Sequence, residues 1–243
     1  MLSERIILVT NVLDFAGTPA AVELAARGAT VVAHDAGFAE AAGRTAFEAE
    51  HRGMTALTAQ TPDDMVAETC AKFGHIDVLI SNDIGEAKRA KIEEAELADF
   101  RRALEDMTVA PFAMAKAVVP GMKARQSGKI IFITSATPFK GLPNYAMYVV
   151  ARGATNSLTL TLAHELAGDN IQVNALAPNY VESPAYFPKE LVEDPEMLAK
   201  ITKHIPLGRL AKPHEIGEVI AFLASDSSNF ITGHVMPFAG GWA

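Results

Sequence analysis

Cysteine is nearly absent from this chain: Cys70 stands alone among 243 residues. A lone cysteine rules out an internal disulfide and any multi-cysteine metal cluster and fits a reducing, cytoplasmic compartment; Cys70 itself reads as a small buried hydrophobe. Basic residues are also short, 21 Lys and Arg against 29 Asp and Glu for a formal charge of −8, and they are scattered singly. No positive stripe exists to neutralise a phosphate backbone, which argues against nucleic acid as a partner. Long apolar runs are missing too. The N-terminal MLSERIILVT holds only four consecutive apolar residues, too few for a signal-peptide core or a membrane span, so no membrane partner is expected. The seven histidines show no HxH or HExxH spacing, and no metal site is expected.

What is present is alternation. Short β-branched runs at Ile6–Val9, Thr30–Ala33, Met54–Leu57, Ile76–Ile80, Ile130–Thr134, Ile171–Leu176 and His234–Phe238 read as strands. Between them, segments near 18–28, 39–51, 62–73, 93–125, 145–168 and 213–224 carry Ala, Leu, Glu and Lys at helical spacing. Continuous apolar strands separated by helices predict an α/β fold, a single Rossmann-like doubly wound parallel sheet of about seven strands covered on both faces. The chain reads as one domain over 1–243. Pro111 inside 93–125 predicts a kinked helix or two helices meeting there. Residues 182–206, with four prolines, break the pattern and read as a flap or substrate lobe, or else as an ordinary surface excursion.

Glycine is scarce where this fold most needs it. The loop after the first strand, TNVLDFAG over residues 10–17, stands where backbone N–H groups at a helix start normally receive a pyrophosphate, yet only Gly17 is present. Ligands of open α/β sheets sit beyond the carboxyl ends of the strands, which directs attention to Ser135, after the fifth strand. On the following helix Tyr148 and Arg152, four apart, share one face. A phenol is a poor base near neutral pH, but a cation ~5 Å away at an effective dielectric near 20 favours the phenolate by roughly 3 kcal/mol. Arg152 would thus make Tyr148 a usable proton acceptor, with Ser135 donating to a substrate oxygen. Tyr145, three residues earlier on nearly the same face, is a rival for the base.

The TNxxxFxG loop, SND at 81–83, Ser135, YxxxR at 148–152 and APNY at 177–180 together resemble the short-chain dehydrogenase/reductase superfamily over essentially the whole chain, and within it the halohydrin dehalogenases. Dehydrogenases of that superfamily carry TGxxxGxG, NNAG, Ser, YxxxK and a PG after strand six. Here Asn11 and Phe15 replace the first two glycines, Arg152 replaces the lysine, and Pro178-Asn179-Tyr180 replaces PG. A phenyl ring would occupy space the pyrophosphate backbone contact requires, so no dinucleotide cofactor is expected. A pocket lined by Phe15, Pro178, Tyr180 and Val181 with Asn179 at its rim suits a small, weakly hydrated anion, and the resemblance makes it the halide site.

The activity implied by the resemblance is intramolecular substitution: a vicinal haloalcohol closes to an epoxide with release of halide and a proton, and the reverse reaction opens epoxides with halide, azide, cyanide or nitrite. Asp83 is expected to hold Arg152 in a charge-assisted pair, or else to serve as a helix-cap or loop aspartate; Asp35 reads as a relic of a ribose site or a turn residue. Thr137, Pro138, Phe139 and Leu142, with Tyr186 and Phe187 from the lobe, are expected substrate walls, and Trp242 covers its own pocket or a neighbour's. Relatives imply a homotetramer built through the two long helices. The competing readings are a nicotinamide-dependent reductase with a degenerate loop and a catalytically inactive binding or regulatory member of the superfamily.

Overall fold

The computed structural model describes residues 2–184 and 186–243; Ala185, inside the expected lobe, lies outside the described residues. Seven parallel strands form one sheet: β1 (Ile6–Val9), β2 (Thr30–Ala33), β3 (Thr55–Ala56), β4 (Val78–Ser81), β5 (Gly128–Ile133), β6 (Ile171–Pro178) and β7 (Val235–Phe238), in the order β3-β2-β1-β4-β5-β6-β7. The helices are α1 (Gly17–Ala26), α2 (Ala41–Glu50), α3 (Pro62–Phe73), α4 (Leu97–Leu104), α5 (Ala110–Arg125), α6 (Ala146–Leu166), α7 (Lys189–Val192), α8 (Pro195–Thr202) and α9 (Pro213–Ala224). Among the described residues no helix is long and apolar enough to cross a membrane.

The strands read as unbroken apolar runs because both faces of the sheet are covered. Ile7 and Val9 of β1 point into a core with α1 and α9, where Leu24 and Ile220 sit, whereas Ile6 and Leu8 point into the opposite core with Met114, Val118 and Leu166. Strand order reverses between β1, which runs on to β2, and its other neighbour β4. Such a switch point opens a crevice at the strands' carboxyl ends, and the 10–17 loop and Asp83 both lie there.

The expected break in the long helical segment is a π-helical turn, Glu105–Val109, joining α4 to α5. Its cause is local. Pro111 has no N–H to offer the carbonyl of Met107 four residues back. The Thr155 hydroxyl of α6 donates to that carbonyl instead, and Thr108 Oγ1 returns a bond to Ala151 O at 3.0 Å. The break is thereby stitched to α6 at the turn that carries Arg152. In the 182–206 segment the structure shows α7 and α8, tied to the body by Lys212 Nζ on Glu182 at 2.5 Å and by an isolated parallel bridge between Val181 and Ala211.

Candidate active site

The TNVLDFAG loop keeps the path of a glycine loop without its glycines. Asn11 (φ 46°) and Phe15 (φ 36°) both lie in the left-handed region, at a cost of about 1–2 kcal/mol per residue for side chains bearing a Cβ. Gly17 is retained because a Cβ there would lie 2.6 Å from the carbonyl oxygen of Val12. The loop's N–H groups are taken up internally: Val12 N on His34 O at 2.9 Å, Leu13 N on Asp35 Oδ2 at 3.2 Å, Asp14 N on Asn11 O at 3.0 Å and Gly17 N on Asp14 O at 2.8 Å. Asn82 Nδ2 pins the loop further, reaching the carbonyls of Asn11 and Asp14, each at 2.9 Å. Asp35 also receives Gly37 N at 2.9 Å, so it is a turn residue whose oxygens both serve the main chain. The ring of Phe15 stands where a glycine would let the backbone approach a pyrophosphate, and the N–H groups of Val12, Leu13, Asp14 and Gly17 are engaged within the chain.

Ser135 follows β5 and is buried. Its Oγ accepts from Thr137 N at 3.1 Å and lies 3.0 Å from Thr137 Oγ1. The backbone N–H takes one lone pair of Oγ, which leaves the hydroxyl hydrogen and a second lone pair to be shared between Thr137 Oγ1 and the cavity. On α6, the Arg152 guanidinium carbon stands 5.5 Å from the centre of the Tyr148 ring. Arg152 is only 1% exposed, and its Nη1 donates to Asp83 O at 2.9 Å and to Ile133 O at 3.1 Å. Burial by itself lowers its proton affinity, yet the adjoining Tyr148 and Tyr186 phenols raise it further, so Arg152 is a fixed cation.

Of the two readings of Asp83, the carboxylate pair with Arg152 is not what the structure shows. Its main-chain carbonyl, not its carboxylate, holds Arg152. The carboxylate turns away to accept from Ser81 Oγ, from Asn11 Nδ2 at 2.9 Å and from Thr10 Oγ1 at 3.3 Å. Burial raises its proton affinity above the ordinary carboxylate value, against the opposing pull of these bonds and of Arg152. A strand-end aspartate can grip a cation with either group, and the sequence does not say which.

A cavity of about 300 Å³ unites these parts. Ser135, Tyr148 and Arg152 meet Phe15, Pro178, Asn179, Tyr180 and Val181 there, with Thr137, Leu142, Tyr186 and Phe187 completing the expected wall. Two expected residues stand outside it. Phe139 is 52% exposed, and Pro138 packs toward Gly153 on α6, because the 3-10 turn Thr137–Phe139 aims both away from the strand end. Three residues join that were not expected as walls: Ala87, Thr134 and Tyr145. Thr134 adjoins Ser135 and Ala87 follows β4, so the strand-end rule could have found them.

On the β6 side of the cavity, Tyr180 is again left-handed, at φ 60°. Its N–H is held by the neighbouring Asn179 Oδ1 at 3.0 Å, and Asn179 N donates to Phe238 O at 3.0 Å. Among the described residues the Val181 N–H has no acceptor. The Phe15 ring meets Tyr186 edge-on at 5.4 Å, and Tyr180 meets Phe187 at 5.9 Å and Trp242 edge-on at 5.8 Å. Trp242 thus backs Tyr180 of its own chain, with Lys140 Nζ 4.9 Å from its ring centre.

The profile of a family described as enoyl-(acyl carrier protein) reductase matches residues 16–243. The chain belongs to the short-chain dehydrogenase/reductase superfamily. Within that superfamily it resembles the halohydrin dehalogenases. A solved structure described as a dehalogenation enzyme is 50% identical, with a TM-score of 0.97 over 100% of both chains. A solved halohydrin dehalogenase bound to ethyl (2S)-oxiran-2-ylacetate is 38% identical, with a TM-score of 0.94 over 97% of this chain and 96% of that one. Among superfamily members named as dehydrogenases, the cis-4-hydroxycyclohexanecarboxylate dehydrogenase of Sinomonas cyclohexanicum is 34% identical over 99% of this chain and 97% of its own. Proteins similar to this chain thus include both named dehalogenases and named dehydrogenases.

Proposed function

We propose that the protein is a cofactor-independent halohydrin dehalogenase. The observation that carries this reading is Phe15, left-handed in a glycine's place and facing the same cavity as Ser135, Tyr148 and Arg152. Tyr148, as phenolate beside Arg152, takes the hydroxyl proton of a vicinal haloalcohol while Ser135 donates to the same oxygen. The alkoxide attacks the neighbouring carbon from the side opposite the halogen, the carbon–halogen bond breaks, and the halide leaves with the electron pair. Products are an epoxide, a halide and a proton. The reaction is redox-neutral and calls for no hydride carrier.

Nucleophile and leaving group belong to one molecule, so the cavity has chiefly to hold them anti to each other, which accounts for much of the barrier in well-oriented intramolecular reactions. The halide is received between Phe15 and Tyr180 by the Val181 N–H, and by the Tyr180 N–H once it leaves Asn179 Oδ1. The Val181 N–H, already unengaged, stabilises the developing charge without reorganisation, whereas the Tyr180 N–H first exchanges one acceptor for another. Read in reverse, the same pocket presents a small anion to an epoxide. Val109, Phe112, Val150 and Leu160, each exposed on or beside α5 and α6, support assembly through these long helices into the homotetramer that the resemblance implies. Release of halide from a vicinal haloalcohol in buffer free of nicotinamide tests the activity.

A further inference from the structure

All four tyrosines of the chain, Tyr145, Tyr148, Tyr180 and Tyr186, line the cavity that holds Ser135. The reaction above uses one phenol as its base. Tyr186 is the informative one of the others. It comes from the segment between β6 and α7, whereas Tyr148 and Arg152 come from α6, and its ring meets Phe15 of the first loop. It shares one cavity wall with Tyr148 and Arg152, so the two phenols and the guanidinium form a single cluster of polar groups facing the same space. Arg152 is fixed from behind by the Asp83 and Ile133 carbonyls, so the two phenols approach a cation that does not move.

The surroundings give the phenols different tasks. Burial first, and then Tyr148, push Tyr186 above the ordinary phenol range, against the lowering effect of Arg152. Tyr186 therefore keeps its proton near neutral pH, and a protonated phenol beside a phenolate can only donate. A phenol that keeps its proton is available as a hydrogen-bond donor to a neighbouring base.

We propose that Tyr186 is a positioning residue for the base: its O–H donates a hydrogen bond to the Tyr148 oxygen, stabilises the phenolate together with Arg152, and ties base strength to the seating of the 182–206 segment on Phe15. The inference rests on Tyr148 being the base. The other titratable groups near the pair are the Tyr145 and Tyr180 phenols on the cavity wall and the buried Asp83 carboxylate beyond Arg152.

The test compares wild type, Tyr148→Phe and Tyr186→Phe by tyrosinate absorbance against pH without substrate, and by kcat/KM against pH with a vicinal bromoalcohol. Tyr148→Phe is expected to remove the first tyrosinate step. Tyr186→Phe is expected to keep that step but move it upward by about one to two pH units, as loss of a hydrogen bond to a charged group requires. The acid limb of kcat/KM should move with it, costing about tenfold or more on the limb and recovering at high pH. A merely structural role would lower activity at every pH. A step and limb left at their wild-type positions in a folded Tyr186→Phe would overturn the proposal. If Tyr186→Phe does not fold, Tyr148→Phe still decides, because coupling is reciprocal: the Tyr186 step must fall once its neighbour is gone, and an unmoved step contradicts the proposal. Absence of dehalogenation with the expected absorbance shifts would sink the haloalcohol reading alone.

Discussion

Arg152 Nη1 donates at 2.9 Å to the carbonyl of Asp83, whose carboxylate turns the other way to accept from Asn11 and Thr10. One residue thus joins the cation behind the proposed base to the loop that carries Phe15. Arg152→Met keeps the buried volume and removes the charge. We predict a fall in kcat of about 100-fold, corresponding to the roughly 3 kcal/mol that a cation near 5 Å gives a phenolate, with a melting point lower by only a few degrees. Arg152→Lys keeps the charge and should retain more activity. Steady-state kinetics and thermal melts on both variants check this.

Phe15→Gly relieves a left-handed side chain but removes an aromatic wall of the anion pocket. The lost apolar contact is of order 1–3 kcal/mol, so kcat/KM should fall about tenfold or more and inhibition by bromide should weaken. The variant should still not bind NADH, because Val12 N, Leu13 N and Asp14 N remain bonded within the chain. Calorimetric titration with NADH and bromide inhibition curves give the answer.

Thr155 supplies the donor that Pro111 denies to the Met107 carbonyl. Thr155→Val has nearly the same shape and leaves that buried carbonyl unsatisfied, a loss of about 1–3 kcal/mol. The expected result is a melting point lower by roughly 2–4 °C per kcal/mol for a chain of this size, with a reduced kcat because Arg152 lies on the adjoining turn. An unchanged melting curve would contradict the clip.

Lys129 lies buried at the opposite end of the sheet, its Nζ on Ser228 Oγ at 3.0 Å. Burial, reinforced by Arg5 and only partly countered by Asp226, lowers it to about 8. The unfolded chain holds this proton up to ~10.4, so it binds more protons than the folded protein between the two values, and stability rises with pH across that window. Below it the buried charge costs stability by a constant amount. Ser228 Oγ also donates toward Leu223 O and Ser225 O and does not depend on the lysine. Lys129→Met should therefore be more stable than wild type at pH 7, by about 2–3 kcal/mol at most, with the difference shrinking toward pH 10. Denaturant titrations at several pH values measure it.

Much of the fold was readable in residue order. The ranges for β1 and β2, and for the helices at 62–73 and 213–224, agree with the structure because unbroken apolar runs and a proline at each helix start mark them. Strand β3 is shorter than its apolar run, since only Thr55 and Ala56 find a partner on β2. The site was legible where chemistry follows a strand end: Ser135, Phe15 and the 178–181 stretch reach one cavity from three loops. It was not legible where backbone direction decides. The turn at 137–139 carries Phe139 outward, and Asp83 offers its carbonyl rather than its side chain to Arg152. Tyr186 shows the same limit, because a proline-rich segment gives no periodicity from which to judge that its ring meets Phe15 at the cavity of Ser135 and Tyr148.

The most direct test of the account is simultaneous release of bromide and protons from a small vicinal bromoalcohol, in buffer stripped of nicotinamide, with Tyr148→Phe beside the wild type. Equal amounts of bromide and acid are expected from the wild type, with an epoxide as the organic product, and neither ion above background from a folded Tyr148→Phe. No turnover by the wild type, together with saturable binding of NADH or NADPH, would contradict it and return the chain to the reductases of its superfamily.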